Sequence, residues 1–264
     1  MASLTDRAVA DIKKMIVAGE LRPGDRLPRE QDLAEQLGLS RATLREAVSA
    51  LSVMKVIDVR HGDGMFITSL SPEVLLEPLN FVVDLHRDDS ILHFLQLRSF
   101  VEPECTALAA RRIGPDELAR LKDLVDEADR LVASDKVDHE LLMANDLAFH
   151  ALVNAAAQNP VASAILAATS EVTVGARVRR SMTERGAELY TTADHRAIYE
   201  AIADGDPRRA LLRAASHIER TEDWFRRHPS ESAAGPSPEA AIRPPAAAGI
   251  AGAELQALSS EVPG

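Results

Sequence analysis

Cysteine is nearly absent: Cys105 is the only one in 264 residues. No disulfide framework can therefore staple the fold, and the core has to come from apolar packing. Aromatic residues amount to 3%, and the Ala-, Leu-, Val- and Arg-rich remainder favours helices over sheets. No apolar run approaches the roughly 18 residues that would span a bilayer, and no secretory apolar segment stands at the N-terminus. The expectation is a soluble cytoplasmic protein without a membrane partner, long enough for two domains with separate cores.

An excess of positive charge is also lacking. The net charge of −11 fits poorly with nucleic-acid binding until it is divided along the chain. Residues 1–68 hold ten Lys/Arg and ten Asp/Glu, so that segment is neutral and the remainder carries the whole acidity. A neutral head on an acidic body implies modest non-specific affinity for DNA, with specificity left to individually placed arginines.

Such arginines are found between Gly38 and Leu51. Leu44, Val48 and Leu51 recur at i, i+4 and i+7 and make one apolar stripe. Arg41 and Arg45 lie one turn apart on another face, with Thr43 and Ser49 close by, and Ser40 is placed to cap the helix. Upstream, Glu30 to Leu37 reads as a short helix that ends at Gly38. Two helices joined by a three-residue turn have helix-turn-helix spacing, in which the second helix enters the major groove. On this stretch alone the alternative is an ordinary αα-hairpin whose outer face carries two arginines, and the flanking segments decide between them.

Before it, Leu4, Ala8, Ile12, Met15 and Ile16 have helical spacing, with Ser3 and Asp6 as a capping box. Pro23-Gly24 marks a turn and Pro28 sets the approach to the second helix. After it, 56–60 and 65–68 are β-prone runs around His61-Gly62-Asp63-Gly64, which reads as a hairpin, that is, a wing. From Pro72 to His228 the period is helical almost throughout. Helices are predicted at 73–86, 89–112, 115–133, 137–157, 160–181, 186–204 and 206–227, punctuated by Gly114-Pro115, Asn159-Pro160, Gly186 and Gly205-Asp206-Pro207. The expected fold is mainly α: a winged helix-turn-helix with a small β-hairpin wing over 1–68, a linker over 69–72, and an all-α antiparallel bundle over 73–228. Residues 229–264 are Ala-, Pro-, Gly- and Ser-rich and are expected to be a disordered tail, apart from a weak helix near 254–258.

Residues 4–68 resemble the winged helix of the GntR family of bacterial transcription regulators. The resemblance is carried by Ile16, Gly19, Leu21, Pro23 to Pro28, Leu33-Ala34, Leu37-Gly38, Ser40-Arg41, Arg45-Glu46-Ala47, Leu51 and Gly62 to Phe66. It implies that Arg41, Thr43 and Arg45 contact DNA in the major groove, that Arg29 touches the backbone, and that Gly64 lets the wing tip approach the minor groove. Two departures stand out. Arg29 occupies a position where the family has a small hydroxyl residue, and Val53 to Val56 lacks the glycine that ends the recognition helix.

In the bundle, Asp146 and His150 stand at i and i+4 on one helix face, where a carboxylate and an imidazole can meet one ion. His195 and His217 lie on two further amphipathic helices. By spacing alone such a pair more often reflects surface polarity or a hydrogen-bonded core histidine than a metal ligand. The segment 73–226 is similar to the FCD effector domain of the FadR-type branch, through Leu97 to Glu102, Ala109-Ala110, Phe149-His150 and Asn159-Pro160. That similarity implies a divalent metal held by Asp146, His150, His195 and His217. Mixed imidazole and carboxylate ligation suits Zn²⁺, with Ni²⁺ or Fe²⁺ as alternatives. A small carboxylate effector would then meet the metal and the Arg98 fork, unless Arg98 simply pairs with Glu102 one turn on. Arg177, Arg179 and Arg180 are expected to be mostly solvated.

The resulting expectation is a homodimeric, ligand-responsive regulator, a repressor, reading a pseudo-palindrome in double-stranded DNA. Two other readings accompany it. An aspartate and three histidines could activate water in a metal-dependent hydrolase or lyase, although no separate general base or nucleophile accompanies them. The metal could also be purely structural.

Overall fold

The computed structural model describes residues 3–76, 91–134, 136–184 and 186–228. The N-terminal unit has three helices, α1 (Leu4–Val17), α2 (Glu30–Gln36) and α3 (Arg41–Val53), followed by β1 (Ile57–Arg60) and β2 (Gly64–Ile67). Ser3 closes the expected capping box on α1, accepting from the Asp6 amide at 3.0 Å while its own amide donates to the Asp6 carboxylate at 2.9 Å. Ser40 accepts from the Thr43 amide at 3.1 Å and so starts α3 where its sequence says it should. Leu44, Val48 and Leu51 are buried with Ile12, Leu33 and Ile57 in one apolar core. Each such side chain stabilises the unit by about 1.5–3 kcal/mol.

The helix end that lacks a glycine is resolved by Lys55 itself, which adopts φ 57°. This left-handed residue lets Val56 turn back, its amide donating to the Leu51 carbonyl at 2.9 Å, at a conformational cost that glycine would avoid. β1 and β2 pair antiparallel from Ile57↔Ile67 to Arg60↔Gly64. A bridge unanticipated from the sequence adds a third edge to this hairpin. The Leu27 amide donates to the Met65 carbonyl at 2.8 Å and the Ile67 amide to the Asp25 carbonyl at 2.9 Å, which ties the Pro23–Pro28 segment to the wing.

The second unit comprises α4 (Pro72–Leu76), α5 (Ile91–Arg112), α6 (Pro115–Val132), α7 (His139–Ala156), α8 (Pro160–Thr183), α9 (Ala187–Ala203) and α10 (Pro207–Arg227). The predicted helix over 73–86 falls mainly outside the described residues, as do the predicted tail and its weak helix. The punctuation works as read: Asn159 and Asp206 cap α8 and α10 through their side chains, each followed by proline in the first turn. Helix α5 packs along α10 and also meets α7, α8 and α9. Its buried face therefore reaches the centre of the bundle, where Phe149, Val153, Ile198 and Ile202 form the main apolar core with α6 and α10 residues. No helix among the described residues is long and apolar enough to cross a membrane.

Candidate metal centre and nucleic-acid interface

The face of α3 opposite its apolar stripe is the candidate reading surface. Arg41 and Arg45 are exposed, and Arg45 Nε donates to a Glu30 carboxylate oxygen on α2 at 2.7 Å. Thr43 is half-buried and its hydroxyl lies 2.9 Å from the Ser40 hydroxyl. Arg29 is exposed at the N-cap position of α2, where it makes no capping hydrogen bond. Gly64 has φ +122°, and a Cβ there would stand 3.1 Å from the Arg26 guanidinium. Arg26, not singled out from the sequence beyond its place in the family pattern, donates to the Asp63 carbonyl and lies over the Phe66 ring with Arg60. The wing thus carries two guanidiniums fixed by one aromatic ring.

The second candidate site lies inside the bundle. Asp146 and His150 come from α7, His195 from α9 and His217 from α10, and all four are buried. Ligand-capable nitrogens of the three histidines lie within 4.8 Å of one another. Asp146 Oδ1 stands 3.8 Å from His150 Nε2 and 3.6 Å from His195 Nε2. Phe149 stacks on His195 with ring centroids 4.1 Å apart, which fixes the plane of that imidazole.

Neighbouring acids set which nitrogen faces the centre. His150 Nδ1 lies 2.5 Å from Glu102 Oε1 on α5, leaving Nε2 to point inward. His217 Nδ1 lies 3.5 Å from Asp194, whose carboxylate also accepts from Arg220 at 3.1 and 3.2 Å. Glu102 and Asp194 thereby orient imidazoles as carboxylates do behind metal ligands. Neither was singled out from the sequence for this, although Asp194 directly precedes His195 and Glu102 follows Arg98 by one turn.

The electrostatics agree with a cation-binding set. Burial pushes the Glu102 carboxyl up, but Arg98 and then His150 outweigh it and hold Glu102 well below the carboxylate range. Burial likewise opposes ionisation of Asp146, yet the Arg177 guanidinium beside it keeps it ionised. Burial lowers His150 despite Glu102 and Asp146, and it lowers His195 further with help from the two neighbouring imidazoles. Two imidazoles held neutral beside an ionised carboxylate present lone pairs to a cation. His150 Nε2 and His195 Nε2 are buried without any hydrogen-bond partner among the described residues. Orphaned buried nitrogens are costly unless something binds them, so the residues fit a divalent ion.

The arginines divide: Arg98 pairs along its own helix, whereas Arg177 and Arg180 depart from the solvated cluster expected. Arg98 is 3% exposed and makes the pair with Glu102 that its spacing left open. Its Nε donates to Glu102 at 2.8 Å, its Nη2 lies 2.7 Å from the same oxygen, and its Nη1 donates to the Thr173 hydroxyl at 3.2 Å. Arg177 and Arg180, read from the sequence as solvated, are instead buried in the bundle because α8 packs against α7. Arg177 donates to Asp146, and Arg180 donates to Glu184 at 2.6 Å and to Thr221 at 2.8 Å. The Arg179 side chain lies outside the described residues. The cavity, about 50 Å³, is lined by both arginines together with Asp146, His217, Thr191 and Thr221 among others.

Two family descriptions match the chain: "Bacterial regulatory proteins, gntR family" over residues 4–67 and "FCD domain" over residues 93–220. The chain is similar to the HTH-type transcriptional regulator LutR of Bacillus subtilis, with 30% identity over 218 residues, covering 79% of this chain and 95% of that protein. It is 28% identical over 226 residues to the galactonate operon transcriptional repressor of Escherichia coli, covering 83% of this chain and 97% of that one. Among solved structures, Streptococcus agalactiae GntR matches with a TM-score of 0.64 at 25% identity, covering 83% of this chain and 99% of that chain. These relatives are transcription regulators, which removes the support for a hydrolase or lyase. The chain belongs to the GntR family of bacterial regulatory proteins, as a DNA-binding transcription regulator with a winged helix-turn-helix and an FCD domain.

Proposed function

We propose that this regulator is a cytoplasmic homodimeric repressor of a metabolic operon whose hold on DNA responds to a small carboxylate bound in the FCD domain. Each winged helix places Arg41, Thr43 and Arg45 against base edges or phosphates in the major groove, with Arg29 on the backbone and the wing at Gly64 over the minor groove. Two such heads read the halves of a pseudo-palindromic site about one helical turn apart. The name of the Escherichia coli relative, a galactonate operon repressor, supports a metabolic acid as the signal.

The observation that carries the sensing half is the pair of buried, unpartnered nitrogens, His150 Nε2 and His195 Nε2, beside the Asp146 carboxylate. Asp146, His150, His195 and His217 would hold the ion, Zn²⁺ first, with Ni²⁺ or Fe²⁺ as alternatives. When bound, the ion supplies a fixed positive charge with room for an anionic oxygen. Glu102 and Asp194 hold the imidazole planes, Arg98 holds Glu102, and Asp146 lies at the cavity wall, where it joins the ion to the ligand space. Domains 1–68 and 73–228, joined through 69–72, divide the two tasks. Acid binding changes DNA affinity by a coupling of about 1–3 kcal/mol.

The test is fluorescence anisotropy of the full chain on DNA from its own upstream region, with and without a panel of small carboxylates. The expected result is a sequence preference in moderate salt that one acid shifts by about fivefold or more. A binding curve indifferent to DNA sequence contradicts the first half of the proposal. Indifference of the metal-loaded protein to every acid contradicts the second.

A further inference from the structure

The cavity beside the histidine cluster contains more donors than one carboxylate on a metal can use. Arg177 and Arg180 stand three residues apart on α8, so their side chains share one face. Arg177 donates to Asp146 through Nη1, but its Nε and Nη2 are buried and have no partner among the described residues. Arg180 uses Nε on Glu184 and Nη1 on Thr221, and its Nη2 is likewise buried and unpartnered. Both side chains are at least nine-tenths buried, and both line the cavity. Leaving a charged donor buried and unmet costs more than leaving a neutral one, so such atoms mark where an anion belongs.

The position of these donors sets the ligand's shape. One end of the cavity is bounded by Asp146 and His217, from the histidine cluster; Thr221, the partner of Arg180, lies one turn beyond His217 on α10. A ligand with one oxygenated group toward the cluster would have to carry a second to meet Arg177 and Arg180. The cavity is small, about 50 Å³, which limits the spacer to a short chain.

We infer that the FCD cavity takes a short dicarboxylate of three or four carbons, one carboxylate facing the histidine cluster and the other gripped by the Arg177 and Arg180 guanidiniums. The inference rests on the proposed acid-sensing role and narrows it from any small carboxylate to a dianion.

The experiment is isothermal titration of the metal-loaded full chain with malonate and succinate, against propionate as a one-carboxylate control and adipate as a long one. Charge-assisted hydrogen bonds from buried guanidiniums predict that malonate or succinate binds at least about tenfold more tightly than propionate. Adipate should be rejected. In Arg180→Gln the preference over propionate should collapse toward equality, with metal content and helicity measured to confirm that the bundle is intact. If that variant does not fold, Arg180→Lys keeps the charge but loses the fork, and it too should lose most of the preference. Equal affinity for propionate and the short dicarboxylates, or a preference that survives both substitutions, overturns the dianion while leaving acid sensing in place. Adipate binding as tightly as succinate overturns the size limit. Failure of all four acids overturns the dianion, while acid sensing itself is decided by the wider carboxylate panel on DNA.

Discussion

Replacing Arg98 by methionine separates a residue that grips a ligand from one that holds the bundle together. In the structure Arg98 and Glu102 are each 3% exposed, and Glu102 Oε1 lies 2.5 Å from His150 Nδ1. Arg98→Met removes every hydrogen bond from Arg98 to Glu102 and Thr173 and leaves an ionised carboxylate buried with only an imidazole beside it. Breaking a buried pair by deleting one member costs about 3–5 kcal/mol, because the surviving charge is left uncompensated. For a two-domain chain of this size that corresponds to about a 10 °C fall in the bundle's melting temperature. The double variant Arg98→Met, Glu102→Gln removes both charges while keeping a polar partner for His150, and it should recover most of the loss. Thermal and urea unfolding followed by circular dichroism on wild type, single and double variants measures this directly. A single variant that loses less than about 1 kcal/mol, or a double variant no better than the single, refutes the reasoning.

Other consequences follow from particular residues. Arg45→Ala should weaken binding to the specific site by about 1–3 kcal/mol and relax discrimination in a competition assay. It should barely change the melting temperature, because the Arg45–Glu30 pair is exposed and contributes little. Lys55→Gly should stabilise the winged helix by about 0.5–1 kcal/mol in urea titration, since it relieves a left-handed residue at the end of α3. Gly64→Ala should cost about 1–3 kcal/mol of stability, because it adds backbone strain and a Cβ 3.1 Å from Arg26, and it should lower DNA affinity as the wing shifts. In the metal-stripped chain, His150 and His195 are held neutral by burial. Their folded pKa values lie below the unfolded value of about 6.5, so the unfolded state takes up protons first as pH falls. Stability should therefore drop between about pH 8 and about pH 5.5, and melting curves that stay level across that window contradict the assignment.

The parts legible in the sequence are those fixed by neighbours along the chain. The stripe Leu44, Val48 and Leu51, the caps Ser3 and Ser40, the helix breaks at Asn159-Pro160 and Asp206-Pro207, and the hairpin around Gly62 and Gly64 are local patterns, and each forms where it was read. Convergence of Asp146, His150, His195 and His217 needed the family resemblance, because nothing in the spacing of three separate helices says that they meet. Contacts made across long stretches of sequence had no local signature. Arg177 reaches Asp146 across 31 residues and Arg98 reaches Thr173 across 75. The run Arg177 to Arg180 reads as a solvated charge cluster because burial there is imposed by packing of α8 on α7. Arg26 likewise gains its role only when the Asp25–Leu27 segment pairs with β2.

The most direct test is the metal content of the purified full chain by elemental analysis, compared with that of His195→Ala. The account predicts about one divalent ion per chain in the wild type, and its loss in the variant while helicity is retained. A wild-type chain that stays metal-free after reloading, or a variant that keeps its full metal content, contradicts the assignment of Asp146, His150, His195 and His217 as the sensing centre.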